Sequence, residues 1–118
     1  MEYTYLGPIG LEVSRLCLGC MNFGTGQPWM VHDREESRAI IDRAIDLGIN
    51  FFDTANVYSH GESEEIVGEA IADRDRDELV VATKVYGGMA DRPNGQGLSR
   101  KHVLNQAHAS LERLGTDY

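Results

Sequence analysis

The chain has 118 residues, 42% of them hydrophobic and 25% charged, a balance typical of one small globular domain with a hydrophobic core. Its formal net charge of −8 argues against nucleic acid and anionic membrane surfaces as partners, because both require clustered lysine and arginine. No apolar run reaches membrane-spanning length, and the first residues lack a basic region followed by an apolar one, so we expect a cytoplasmic protein.

The beginning of the chain predicts a β-hairpin followed by a short strand. Residues 3–6 alternate in polarity, residues 7–10 contain turn-forming glycine and proline, and residues 12–15 return in extended form. Residues 16–19 are short and apolar, which is typical of a fully buried strand.

Cys17 and Cys20 have the spacing of a CxxC motif. A redox pair of this kind opens a helix, and a zinc site of this kind needs a second pair of ligands. The sequence provides neither context, and residues three apart on a strand point to opposite faces. We therefore interpret both cysteines as small buried residues.

A loop at residues 21–31 leads to the first predicted helix, which runs from residue 34 to about residue 47. Asp33 is its N-cap in a capping box with Glu36, and Gly48 ends it. The apolar residues of this helix predict one buried face, formed by Ile40, Ile41, Ala44, Ile45 and Leu47.

A second strand–helix unit follows. Residues 50–53 predict a buried strand, and residues 63–72 predict a helix. The next strand covers residues 79–84. The buried face predicted for this second helix consists of Ile66, Val67, Ala70 and Ile71.

A glycine-rich loop at residues 86–98 comes next, and two interpretations stay open: a mobile lid beside a substrate, or a passive insertion. Ser99 caps the third predicted helix, which stops at Gly115, and Tyr118 is interpreted as the first residue of another strand. The buried face predicted for this helix consists of Val103, Leu104, Ala107, Leu111 and Leu114.

The alternation of apolar strands and helices predicts an α/β fold with a parallel sheet covered by helices. Active sites of such folds gather at the carboxyl ends of the strands. Asp53 and Lys84 end two successive strands, and Tyr58 follows on the loop after the first. A buried lysine is rarely tolerated without a partner, and the Asp53 carboxylate supplies one. The three side chains are therefore predicted to meet at one edge of the sheet.

Taken singly, these residues carry less information. Asp53 alone is equally well explained as a turn residue, and Tyr58 alone as a surface aromatic. Lys84 at the end of an apolar strand already favours a functional role. Ser63 and Glu64 are interpreted as residues that start the second helix rather than as part of the chemistry.

Several spaced motifs resemble the aldo/keto reductase family. One group resembles the family's first signature and its lysine strand: residues 48–55 (Gly-Ile-Asn-Phe-Phe-Asp-Thr-Ala), Tyr58, residues 61–64 (Gly-Glu-Ser-Glu), Gly68 and residues 81–84 (Val-Ala-Thr-Lys). Another group resembles the branch that includes the potassium-channel β-subunits: residues 5–7, 10–14, 98–102 and 109–114. The similarity covers essentially the whole chain.

The family fold is a (β/α)8 TIM barrel whose bottom is closed by an N-terminal β-hairpin, and its members reduce aldehydes and ketones with NADPH. The resemblance implies that the chain is the N-terminal part of such a barrel and stops at the start of the fourth barrel strand. The family's active-site histidine follows that strand, so the resemblance also implies that the chain alone is inactive.

The resemblance assigns roles residue by residue. Tyr58 is the general acid that protonates the carbonyl oxygen, Lys84 assists it, and Asp53 pairs with Lys84 and lies near the nicotinamide ribose. Cys20 and Met21 are implied to line the cofactor. A tyrosine hydroxyl ordinarily has a pKa of about 10, and an adjacent ammonium favours its ionised form.

The implied partner is a small-molecule carbonyl substrate. An alternative function stays open, namely an NADPH-binding regulatory subunit resembling the potassium-channel β-subunits, since those proteins keep the same three residues.

Overall fold

The structure is a computed structural model that describes residues 1–118. An antiparallel hairpin opens the chain, with β1 (Tyr3–Tyr5) paired to β2 (Glu12–Ser14). Gly10, at a φ of 76°, turns the chain back between them, a left-handed conformation that glycine adopts without strain. The predicted hairpin is confirmed.

A three-stranded parallel sheet forms the centre of the molecule. Its strands are β3 (Leu18–Gly19), β4 (Phe51–Asp53) and β5 (Val80–Ala82), in the order β3-β4-β5. Gly19, Asp53 and Ala82 lie opposite one another in the register. The carboxyl ends of the three strands are therefore level.

Three helices follow the strands in turn: α1 (Arg34–Asp46), α2 (Glu62–Ile71) and α3 (Arg100–Leu114). They bury one face of the sheet, where Phe52 of β4 is completely inaccessible. None of them combines the length and apolar character needed to cross a membrane. The core between sheet and helices consists of Cys20, Phe23, Ile41, Ala44, Phe52, Ile66, Val67, Ala70, Ile71, Leu79 and Leu114.

The prediction of a fully buried strand at residues 16–19 is wrong. Only Leu18 and Gly19 form strand pairs, Leu16 is 60% exposed, and Gly19 is exposed. β3 is an edge strand with one neighbour, and the sheet face opposite the helices is only partly buried, at Phe51 and Asp53 of β4 and at Val80 and Ala82 of β5. For the same reason the prediction of two buried cysteines holds only for Cys20, whereas Cys17 is exposed.

The buried face predicted for α2 is confirmed in full, but the faces of α1 and α3 are narrower than predicted. In α1, Ile41 and Ala44 are buried, while Ile40 and Leu47 are exposed on the flank that faces away from α2. In α3, Leu104 is 40% exposed. Apolar spacing identifies the helices correctly, but burial also depends on which neighbours cover each flank.

Candidate active site

Lys84 joins the three predicted residues into one hydrogen-bonded group. Its Nζ donates to Asp53 Oδ2 at 2.7 Å, to the Thr54 carbonyl oxygen at 2.9 Å and to the Tyr58 hydroxyl at 3.0 Å. An ammonium has three N–H donors, so these three acceptors satisfy it completely. The predicted meeting of Asp53, Tyr58 and Lys84 at one edge of the sheet is confirmed.

The direction of these hydrogen bonds decides what Tyr58 can do. Lys84 can only donate, so the Tyr58 oxygen accepts, and the hydroxyl keeps its own hydrogen for another acceptor. The tyrosine side chain is only partly buried. A carbonyl oxygen placed at this hydroxyl would receive a hydrogen bond from it.

Backbone hydrogen bonds beyond the strand ends place Lys84 beside Asp53. The Thr54 N–H donates to the Ala82 carbonyl at 2.9 Å, and the Asn56 N–H donates to the Lys84 carbonyl at 3.1 Å. The parallel ladder of β4 and β5 thus continues past both strands. The position of the ammonium follows from sheet register rather than from a flexible loop.

A turn with left-handed backbone follows Tyr58. Ser59 has a φ of 46° and His60 a φ of 55°, values that non-glycine residues rarely adopt and that persist where the surroundings hold them. The Ser59 hydroxyl donates to the Phe23 carbonyl at 3.1 Å and accepts from the Gly26 N–H at 3.3 Å. The loop after β3 therefore braces the turn that carries Tyr58.

Lys84 is less buried than the sequence led us to expect. Its side chain is 48% exposed and that of Asp53 is 38% exposed, because both lie on the sheet face that the helices do not bury. Desolvation acts to lower the pKa of Lys84, but the hydrogen bonds to Asp53 and Tyr58 outweigh it, and the net pKa of this lysine is raised. The ammonium is the stable form at neutral pH.

A cleft of about 530 Å³ adjoins Tyr58. Its walls combine apolar and polar groups, and the Trp29 ring on its rim is 63% exposed. A cleft with such mixed walls suits a small molecule that has both an apolar body and a polar group. The apolar wall residues are Met21, Trp29, Met30, Val57 and Tyr58.

The chain is similar in sequence and in structure to proteins of one known family. The model of the "Aldo/keto reductase family" matches residues 15–118. The chain belongs to the aldo/keto reductase family. Among solved structures, the aldo-keto reductase AKR11C1 from Bacillus halodurans, in its holo form, is 37% identical, with a TM-score of 0.85 over 100% of this chain and 38% of its own. The aldo/keto reductase TIM barrel is thus the fold to which the chain is similar.

Two curated relatives show the range of the family. A versiconal hemiacetal acetate reductase of Aspergillus parasiticus is 43% identical over 98% of the chain and 40% of its own length. A protein of Arabidopsis thaliana named as a probable voltage-gated potassium channel subunit beta is 42% identical over 100% of the chain and 35% of its own length. The chain spans well under half the length of the relatives it matches.

Cys20 and Met21, the two residues predicted to line the cofactor, differ in their exposure. Met21 is 48% exposed and lies in the wall of the cleft beside Tyr58. The Cys20 side chain is completely buried in the core, and burial raises the pKa of its thiol to about 12. The Cys20 N–H donates to the Asp53 carbonyl and its carbonyl accepts from Ser63, so Cys20 offers a cofactor no free polar group.

The sequence assigns Ser63 and Glu64 only to the start of α2 and does not reveal their contacts with the strand ends. Both are completely buried and contact the strand ends behind the active site. A signal for Glu64 was present, because it shares the apolar helix face of Val67 and Ile71, three and seven residues on. A carboxylate on such a face needs a buried partner.

Proposed function

We propose that the intact protein is an NADPH-dependent oxidoreductase that reduces aldehydes or ketones to alcohols. The observation that carries this proposal is the hydrogen bond from the Lys84 ammonium to Tyr58, which leaves the hydroxyl hydrogen of that tyrosine free to donate; Tyr58 also lines a cleft with both apolar and polar walls. Membership of the aldo/keto reductase family agrees with it.

Residues of this chain can donate the proton that the carbonyl oxygen needs. Tyr58 donates its hydrogen to the carbonyl oxygen as negative charge develops there. The Lys84 ammonium, held 3.0 Å away, stabilises the oxygen that Tyr58 is left with, and Asp53 keeps the ammonium in place at 2.7 Å.

The residues present also fit a nicotinamide cofactor. One oxygen of the partly exposed Asp53 carboxylate is bound to Lys84, and its other oxygen accepts no hydrogen bond within the protein, so it could accept one from a ribose hydroxyl. Met21 offers an apolar side chain next to Tyr58. The cofactor would supply the hydride, while the protein residues orient the reactants and donate the proton.

We further propose that the chain is the N-terminal portion of the barrel, ending at the start of the fourth barrel strand, with the hairpin closing the barrel bottom. The hairpin lies at the amino end of β4, opposite to the site. There the Tyr3 hydroxyl donates to the Gly48 carbonyl at 2.8 Å, and the Ser14 N–H donates to Asn50 Oδ1 at 2.7 Å. The protein is proposed to act in the cytoplasm on small molecules, without nucleic acid or membrane partners.

The test is a steady-state assay of the intact protein over a panel of aldehydes and ketones, with NADPH and NADH compared at equal concentrations. We expect turnover of at least one carbonyl class and a higher kcat/KM for NADPH. Failure to oxidise either cofactor with any carbonyl would overturn the proposal.

A second candidate is a regulatory subunit that binds NADPH without rapid turnover. The observation in its favour is the 42% identity to the Arabidopsis protein named as a channel subunit beta. Affinity purification from solubilised membranes separates the two candidates. A stoichiometric membrane protein together with negligible carbonyl turnover supports regulation, whereas turnover by protein recovered without one supports the enzyme.

A further inference from the structure

A buried polar layer lies directly behind the active site, on the helix side of the sheet. The Ser63 hydroxyl donates to the Cys20 carbonyl at 2.7 Å and lies 2.9 Å from Thr54 Oγ1. Glu64 accepts from Thr83 Oγ1 at 2.5 Å and from Arg113 Nε at 2.6 Å. The start of α2 is therefore tied to residues at the carboxyl ends of all three strands.

The residues that α2 holds are the chain neighbours of the active-site residues. Thr54 follows Asp53, and Thr83 precedes Lys84. Successive residues of an extended chain point to opposite faces, so fixing Thr83 toward the helices fixes Lys84 toward the open face. The hydrogen bond between Glu64 and Thr83 thus acts on the direction of the Lys84 side chain.

Arg113 links the same buried layer to the turn that follows Tyr58. Its side chain passes so close to Gly61 that a Cβ atom there would lie 2.8 Å from Arg113 Cδ. Gly61 closes the left-handed turn that begins just after Tyr58. The same arginine therefore contacts the turn of Tyr58 and, through Glu64, the strand end of Lys84.

Stability alone is a weak reason for this arrangement. Glu64 is completely buried and Arg113 is 18% exposed, and buried ion pairs are often no more stabilising than apolar residues of similar size. What an ion pair adds is a fixed distance and direction between the elements it joins. Here the pair joins α2 to α3, while Glu64 also contacts Thr83, next to Lys84, and Arg113 contacts Gly61 in the turn that follows Tyr58.

We propose that Glu64 and Arg113 are a positioning pair that sets the separation between the Tyr58 hydroxyl and the Lys84 ammonium. The inference rests on the proposed function of Tyr58 as proton donor. It adds two residues that touch neither substrate nor cofactor but on which the geometry of proton donation depends.

The test compares three variants of the intact protein with wild type. Glu64→Gln keeps the shape of the side chain and removes its charge. Glu64→Gln combined with Arg113→Met removes both charges, so no unpaired buried charge remains and we expect the variant to fold. Glu69→Gln is the matched control, because Glu69 is an exposed residue of the same helix paired with Arg34.

Two readouts distinguish positioning from a structural role, both measured well below the melting temperature. We expect the double variant to melt near wild type while its kcat falls at least about tenfold, with the dissociation constant for NADPH unchanged. We also expect the Lys84 ammonium, followed by NMR, to titrate at lower pH than in wild type, because its hydrogen bonds to Asp53 and Tyr58 loosen. Glu69→Gln should change neither quantity.

The inference is overturned if the double variant keeps the wild-type kcat and the wild-type Lys84 titration. The NMR titration needs no substrate, so it tests the positioning pair even in a protein that reduces no carbonyl. An absence of turnover in wild type would instead contradict the proposed function.

Discussion

At the scale of single residues, the active site depends on Lys84. Its ammonium has three acceptors, and two of them, Asp53 and Tyr58, were predicted from their positions at and after a strand end. The third, the Thr54 carbonyl, was not predicted, because every residue has a backbone carbonyl and the sequence does not show which of them accepts a hydrogen bond. The exposure of Lys84 was also not predicted, since it depends on what covers the sheet.

We predict that Lys84→Met in the intact protein lowers kcat at least about 100-fold, because Tyr58 loses the charge that assists proton donation. The free energy of unfolding should change by only about 1 kcal/mol or less, since half-exposed ion pairs are screened by solvent. Steady-state kinetics and urea denaturation measure the two effects. Lys101→Met, at an exposed position of α3, is the control and should alter neither.

The raised pKa of Lys84 fixes the sign of the pH dependence. A raised folded pKa stabilises the protein below the ordinary lysine pKa of about 10.4, and this contribution is lost as the pH rises through the folded value. The stability difference between wild type and Lys84→Met should therefore stay constant from neutral pH to about pH 10 and shrink above it. If the stability difference between wild type and Lys84→Met instead became smaller when the pH was lowered from 7 to 6, this assignment would be contradicted.

At the scale of elements, local signals predicted the helices well. Asp33 accepts from the Glu36 N–H at 2.8 Å and Ser99 accepts from the His102 N–H at 3.2 Å, as expected of N-caps. Gly115 ends α3 in the left-handed conformation. The pair of Glu64 and Arg113 joins residues 49 positions apart, and no local pattern specifies such a partner.

A close approach between α2 and α3 at Gly68 leads to a prediction for these two elements. A Cβ at Gly68 of α2 would lie 2.6 Å from the Leu114 carbonyl oxygen of α3, and backbone atoms cannot move aside easily. Gly68→Ala should therefore destabilise the intact protein by about 1–3 kcal/mol, although alanine in a helix interior is intrinsically favoured over glycine by about 1 kcal/mol.

Urea denaturation measures the free energy of unfolding of Gly68→Ala, and the prediction requires that this free energy be lower than that of wild type. Glu69→Ala, at the next position and exposed, should stay within about 0.5 kcal/mol of wild type. A stabilised Gly68→Ala variant would show that helix propensity outweighs the close approach.

At the scale of the whole molecule, the order of strands and helices followed from the sequence, but the uncovered surfaces did not. β3 and β5 each pair with a single strand, and apolar side chains such as Leu16, Ile40 and Leu47 are exposed. Open strand edges and exposed apolar surface favour association with other chains. The chain spans only 35% to 40% of the lengths of the two relatives described above.

We therefore predict that the 118 residues expressed alone reduce no carbonyl and do not form a stable monomer. Part of the apolar surface stays in water, so the stabilisation expected from burying it is lost. Size-exclusion chromatography, thermal unfolding and NADPH titration measure the outcome. A monomer with a cooperative melt and micromolar affinity for NADPH would show that the chain is a domain in its own right.

The role of Tyr58 as proton donor is tested most directly by the Tyr58→Phe variant of the intact protein, which removes one oxygen and keeps the ring. We predict that kcat falls by at least about 100-fold while the dissociation constant for NADPH, measured by fluorescence titration, stays within about twofold of wild type. The hydroxyl acts when charge develops on the carbonyl oxygen, so the loss belongs to turnover rather than to cofactor binding. A Tyr58→Phe variant with near-normal kcat would contradict the assignment of Tyr58 as the proton donor.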